Sequence, residues 1–196
     1  MNVFEEFEQT RIPGCYLIRP WRRPDERGLF VKTFHTEAFR ERGLQTDFRE
    51  SYFSVSRKGV LRGMHFQRPP HEHAKLVYCV MGCVLDAVVD LRSDRGGFGK
   101  HQEFELSDRN SCILYLSPGV AHGFYVLSEE AITVYSVTGE YNPGSDSGVR
   151  WNSCGVDWPT DSPVVSPRDS NFPLIEDARN IFGAPVAGVH RHSCPK

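Results

Sequence analysis

The chain has 196 residues, of which 39% are hydrophobic and 24% charged, and its formal net charge is −2. That length suits one domain with its own apolar core, and the balanced charge excludes the one-sided basic excess of a nucleic-acid binder. The acidic start "MNVFEEFEQT" has no apolar stretch of the secretory type, and the longest apolar run, "LVYCVMGCVL" at 76–85, is too short to cross a bilayer.

In chain order, "GLFVKTF" at 28–34 predicts a strand bounded by turn residues, and "HTEAFRERGL" at 35–44 predicts a helix, with Thr36 as N-cap and Gly43 as stop. "DFRESYFSVS" at 47–56 is rich in β-branched and aromatic residues and reads as strand. "KLVYCVMGCVLDAVVDLR" at 75–92 predicts two strands meeting near Gly82. "HQEFEL" at 101–106 alternates as a half-buried strand does. "CILYLSPGVAHGFYVL" at 112–127 breaks at Pro118-Gly119, "AITVYSVTGEY" follows as strand, and "LIEDARNIF" at 174–182 is a second short helix. Short strands at roughly ten-residue spacing predict an all-β sandwich or barrel. A single domain over 1–184 is expected, followed by a loose tail at 185–196 in which His190 and His192 are solvated. The six cysteines (15, 79, 83, 112, 154 and 194) form no C-x-x-C pair. They read as free thiols in a reducing cytoplasm.

The segment "LRGMHFQRPPHEHAKLVY" at 61–78 concentrates His65, His71, His73 and Lys75 just after Arg62. One reading is a metal site: His71 and His73 with His122 of "PGVAH" would give three imidazoles for zinc, iron or nickel. Against it, no carboxylate follows His73, an ammonium at Lys75 would be repelled by a dication, and Pro69-Pro70 predicts a loop. The other reading is metal-free acid–base chemistry with His65 as base. Asp169 of "SPRDSNF" is then the orienting carboxylate, Lys75 a buried cation and Tyr135 a phenolic proton donor. Arg27, Arg62 and Arg168 have the planar fork that grips phosphate oxygens. Composition and spacing alone reach an all-β domain with a cationic, histidine-containing pocket.

"PDERGLF", "GVLRGMHFQ", "KLVYCVMGCVLDAVVDLR", "FGK", "ELSDRN", "LSPGVAHGFYVLSEEA", "SGVRWNSCGVDWP" and "VSPRD" follow one another in an order that resembles the dTDP-4-dehydrorhamnose 3,5-epimerase family, across about residues 13–175. The resemblance implies a cupin-type double-stranded β-helix (jelly roll) with neither metal nor cofactor, a homodimer with N-terminal strand exchange, and a nucleotide-diphosphate sugar as substrate. Carried over by position, His65 is the base oriented by Asp169, Lys75 stabilises the enolate, and Tyr135 is the opposing acid. Arg27, Lys32, Glu50, Tyr52, Arg62, Gln67, His122, Tyr141 and Arg168 are the implied substrate-binding residues. Lys32, Glu50, Tyr52, His71 and His73 depart from the residues common in that family. Replacing Gln by Glu at position 50 removes a donor and adds charge, so dTDP, CDP and GDP carriers stay open, as does epimerisation at one carbon or two.

Overall fold

A computed structural model describes residues 3–93 and 96–183. The expected tail at 185–196, with His190, His192 and Cys194, lies outside the described residues. In chain order the first seven strands are β1 (Phe4–Gln9), β2 (Tyr16–Pro20), β3 (Arg22–Asp25), β4 (Gly28–Val31), β5 (Glu50–Arg57), β6 (Leu61–Gln67) and β7 (Lys75–Met81). They are followed by β8 (Cys83–Asp90), β9 (His101–Ser107), β10 (Ile113–Leu116), β11 (Val120–Val126), β12 (Glu130–Val137) and β13 (Asp146–Gly148).

The turn at Gly82 carries the chain from one sheet to another, because β7 lies in a six-stranded sheet ordered β1-β2-β10-β7-β12-β5 and β8 in a five-stranded sheet ordered β13-β6-β11-β8-β9. Gly82 has φ of +79°, and a Cβ there would lie 2.1 Å from the Glu130 carbonyl oxygen, so only glycine makes this switch. The Pro118-Gly119 turn does the same between β10 and β11. All ladder pairings in both sheets are antiparallel. Two antiparallel sheets laid face to face, with the chain crossing between them, form a jelly roll.

Val77, Val84, Val88, Leu114, Leu116, Phe124 and Val126 pack between the sheets. The outer face of the five-stranded sheet is covered as well, since Met64, Phe66, Ala87 and Val89 pack against Trp158 and Ile175 of the late segment. Phe4, Phe7 and Tyr115 likewise surround Phe39 of helix α1 (Thr36–Arg40), with ring centroids 5.4–6.1 Å apart. Covering both faces explains why β8 and β10 read as nearly unbroken apolar runs rather than as alternation. Fully burying one such side chain is worth about 1.5–3 kcal/mol.

Several local expectations change. The N-cap of α1 is His35, not Thr36: the His35 Nδ1 accepts from the Ala38 N–H at 3.3 Å, which leaves Thr36 as the first helical residue. The helix ends at Arg40, and Gly43 closes the following turn with φ of +69°. The first predicted strand stops at Val31 and pairs only with β3, as a hairpin separate from both large sheets among the described residues. The second predicted helix is a 3-10 turn over Ile175–Ala178. Asp169 lies in a one-turn helix α2 (Pro167–Ser170) rather than a loop, capped by the Ser166 hydroxyl, which accepts from the Asp169 N–H at 3.0 Å.

Candidate active site

A cavity of about 420 Å³ opens between the two sheets, lined from one side by β6 and β11 and from the other by β5, β7 and β12. His65 on β6 faces His122 on β11 across the ladder. The His65 Nε2 lies 2.9 Å from Asp169 Oδ1, while the Gly63 N–H donates to Oδ2 at 3.0 Å. Gly63 is needed at this junction, because a Cβ would sit 2.5 Å from Gly123 Cα. Burial pushes the Asp169 carboxyl up, but the hydrogen bond and charge of His65, with the Gly63 N–H and the Ser166 hydroxyl, outweigh it and hold the group below its usual range. An ionised Asp169 accepts from Nε2–H, which fixes the tautomer and leaves Nδ1 as the proton-accepting atom.

The facing wall carries the cation and the phenol. Lys75 opens β7 beside Val137 of β12, and it is buried. Burial pushes its ammonium down to about 8, although Asp146 and Asp86 both act to raise it. No hydrogen bond or ion pair holds its Nζ among the described residues, so the charge is available to an arriving oxyanion. Tyr135 of β12 is buried, its phenol is pushed well above the ordinary range by that burial, and its hydroxyl lies 3.3 Å from Ser54 Oγ. Its ring stands 6.0 Å from the His122 ring.

At the mouth, Asp146 of β13 holds two groups: Arg168 at 2.7 Å and the Tyr141 hydroxyl at 3.1 Å. Arg168 also lies over the Phe172 ring at 5.2 Å, and Phe172 packs edge-on against His65. Glu50 Oε1 accepts from the Tyr141 N–H at 2.9 Å, and Gln67 Oε1 from the Asn142 N–H at 3.3 Å. Arg62 donates to Ser56 Oγ at 2.9 Å. His73 also lines the cavity; its Nδ1–H donates to the His71 carbonyl, and burial together with the nearby Lys75 charge pushes its pKa down to about 4. It is therefore a neutral imidazole at ordinary pH.

Of the thirteen residues read as site candidates, eleven meet around this cavity: Glu50, Tyr52, Arg62, His65, Gln67, Lys75, His122, Tyr135, Tyr141 and Arg168 line it, with Asp169 directly behind His65. Arg27 and Lys32 do not reach it, because the β3–β4 hairpin that orders Arg27 pairs with neither large sheet and Arg27 turns back onto Asp25. The three-histidine metal set is not brought together either. His71 is exposed and away from the cavity lining, Lys75 intrudes, and His122 Nδ1 is engaged by Asp86 at 3.3 Å. Among the described residues, no group of three or more His, Cys, Asp or Glu is arranged to hold a metal.

Two acidic residues were missed by sequence reasoning. Asp86 is fully buried behind His122, and burial pushes its carboxyl up and the imidazole down, both toward neutrality. A lone carboxylate in the apolar run "CVLDAVV" was the available signal. Asp146 sits in "PGSDSG", which reads as any turn does and carried none.

The jelly roll therefore gathers a carboxylate-backed imidazole, a buried ammonium and a phenol around one cavity, groups of the kind that isomerases use to move a proton beside a carbonyl. Comparison with known proteins narrows the class. The family model described as dTDP-4-dehydrorhamnose 3,5-epimerase matches residues 9–177, and the chain belongs to that family. It is 39% identical over 181 residues to the dTDP-4-dehydrorhamnose 3,5-epimerase of Shigella flexneri, covering 91% of this chain and 98% of that one. It is also 39% identical over 172 residues to the dTDP-4-dehydrorhamnose 3-epimerase of Streptomyces niveus, covering 86% and 83%. Among solved structures it is similar to NovW, a 4-keto-6-deoxy sugar epimerase from the novobiocin gene cluster of Streptomyces spheroides. That match has a TM-score of 0.86 and 38% identity, over 89% of each chain. The protein is an epimerase of nucleotide-linked 4-keto-6-deoxy sugars.

Proposed function

We propose that the carrier is thymidine diphosphate and that C3, C5 or both are inverted by proton transfer between His65 and Tyr135. The observation that carries this reading is their origin on facing sheets, so a sugar ring held between them meets a base on one face and an acid on the other. The C4 ketone acidifies the protons on C3 and C5. His65 Nδ1 takes one, the Lys75 ammonium stabilises the enolate oxygen, and Tyr135 delivers a proton to the opposite face. His122, Arg62 and Gln67 contact the sugar. Arg168 exchanges Asp146 for a phosphate oxygen, and Glu50 and the exposed ring of Tyr141 meet the nucleoside.

NMR in D₂O with dTDP-4-keto-6-deoxyglucose tests the reading: deuterium should enter at C3, C5 or both, and the product coupling constants should report inversion. Exchange at two carbons identifies a 3,5-epimerase and at one a mono-epimerase. Exchange only with CDP- or GDP-linked ketosugars would replace the carrier, and no exchange with any of them would overturn the reading.

Three cations (Arg62, Lys75 and Arg168) and two carboxylates (Glu50 and Asp146) line the cavity, less net charge than a diphosphate's two negative charges require. The unpaired β3–β4 hairpin carries Arg27, with Lys32 just beyond it, and both the hairpin and the outer face of β5 present apolar side chains to solvent. Phe30 is 64% and Phe53 66% exposed. We infer a homodimer in which the N-terminal hairpin pairs with the partner and brings Arg27 and Lys32 to its cavity. Light scattering should give twice the chain mass, and Phe53→Glu should shift the population toward monomer. A monodisperse monomer of the unaltered chain would count against the exchange. The free thiols of Cys15, Cys79, Cys83, Cys112 and Cys154 fit a reducing cytoplasm.

A further inference from the structure

The edge strand β5 presents one face to the cavity through alternate residues, as strand geometry requires. Each of those four side chains touches a group at the site. Glu50 accepts from the Tyr141 N–H, Tyr52 stacks on the Tyr135 ring, Ser54 lies against the Tyr135 hydroxyl, and Ser56 accepts from Arg62 Nε. Tyr52 and Tyr135 are direct partners across the β5–β12 ladder, with ring centroids 5.0 Å apart and planes inclined by 22°. The opposite face of the strand carries the exposed Phe53 and Val55. Nothing in apolar packing calls for a Glu, a Tyr and two Ser in this row, since the strand is at the sheet edge and Tyr52 is 47% exposed.

Building on the assignment of Tyr135 as the acid, we propose that Tyr52 and Ser54 are positioning residues that set where Tyr135 delivers its proton. The Tyr52 ring, flat against one side of Tyr135, fixes the plane in which the phenol can swing. Ser54 fixes the direction of the O–H bond, because a hydroxyl both accepts and donates. In the resting site the phenol and the Ser54 hydroxyl share one hydrogen bond in which either can donate. After Tyr135 has given its proton to carbon, the Ser54 O–H donates to the phenolate, which burial would otherwise make costly. The pair therefore governs the split between two fates of one enolate: return of a proton from the His65 side, which washes solvent deuterium into unchanged substrate, and delivery from the Tyr135 side, which inverts the carbon.

The readout is that split, measured in D₂O as inverted product per deuterium incorporated. Tyr52→Ala and Ser54→Ala should lower it by about 10- to 100-fold, the scale of a misplacement near 1 Å, while deuterium wash-in continues. Tyr135→Phe sets the floor. Tyr52→Phe keeps the stacked ring and should restore the split. Equal loss of wash-in and inversion in Tyr52→Ala, or a raised KM with an unchanged split, would overturn the proposal.

A second measurement needs no substrate. With ring-¹³C-labelled tyrosine, the Tyr135 resonance should move in Tyr52→Ala and Ser54→Ala and stay in place in Tyr52→Phe. An unmoved Tyr135 resonance in both alanine variants overturns the positioning role, whatever sugar nucleotide the enzyme takes. Failure of the parental chain to exchange any ketosugar proton would instead strike the proposed function, and the ring spectrum would still decide this point.

Discussion

His65→Asn is expected to lower proton exchange at C3, C5 or both by about 10²- to 10⁴-fold, the usual contribution of a positioned proton-transfer group. Asparagine is an informative replacement because it is polar, fits within the volume of the imidazole and leaves the Gly63 N–H donating to the Asp169 carboxylate. The fold should hold, since the His65 side chain is only part-buried and its ring contact is the edge of Phe172. The amide has no basic lone pair, and that alone removes the chemistry. Near-ultraviolet circular dichroism should match the parent while the D₂O time course flattens. A well-folded His65→Asn protein with parental exchange would move the base to another group, and His122 is the only other imidazole backed by a carboxylate on the cavity wall among the described residues. Loss of both exchange and inversion is the expected pattern. Loss of inversion with exchange retained would instead exchange the roles of His65 and Tyr135.

Much of this site is legible in the chain because its groups sit where local pattern is informative. His65 and Lys75 flank a proline-rich loop in one short segment, and Tyr135 lies within a clear β pattern, so each stands out as a polar group in an apolar strand. Their roles, however, come from the ordered family motifs, because spacing alone left the metal and acid–base readings open. Asp169 was legible as a residue but not as a helical one: four residues with Pro at the first position and Ser before it make a capped turn too short for any periodicity. The strands β1 and β2 escaped notice since charged residues fill the exposed face of β1 and a bulge interrupts their pairing between Phe4 and Glu6. Asp146 gains its meaning only when β13 pairs with β6 and carries it to the Arg168 guanidinium, a contact between distant parts of the chain. Arg27 and Lys32 show the converse. Their charge pattern was visible, yet the chain by itself does not bring them to the cavity.

Lys75→Met carries the second large expected effect: a fall of about 10²- to 10³-fold in kcat, comparable to removing one oxyanion-stabilising donor. The reason is positional, because the ammonium is buried on the phenol-bearing wall and no protein group neutralises it by direct contact among the described residues. The same burial makes the charge titrate early. With its pKa pushed down to about 8, Lys75 in the free enzyme is charged below that pH and neutral above it. The ratio kcat/KM should then decline as pH rises through about 8, approaching tenfold per unit. Stability should move the other way. Between about 8 and the ordinary lysine value of 10.5 the unfolded chain binds more protons at this residue than the folded one, so this residue's contribution to stability rises with pH across that window. Asp86, Asp146, His122 and His73 share the field, but burial and its charged neighbours leave His73 titrating near 4, well below the window. In Lys75→Met both signatures should vanish together: the alkaline fall in kcat/KM and the alkaline gain in thermal midpoint. At neutral pH the variant should be at least as stable as the parent, because methionine fills the stem's volume without an isolated charge. A variant that lost activity but kept the alkaline fall near pH 8 would assign that titration to another group and leave Lys75 as a packing residue. Loss of both, with stability held at neutral pH, is the outcome that only a working buried ammonium gives.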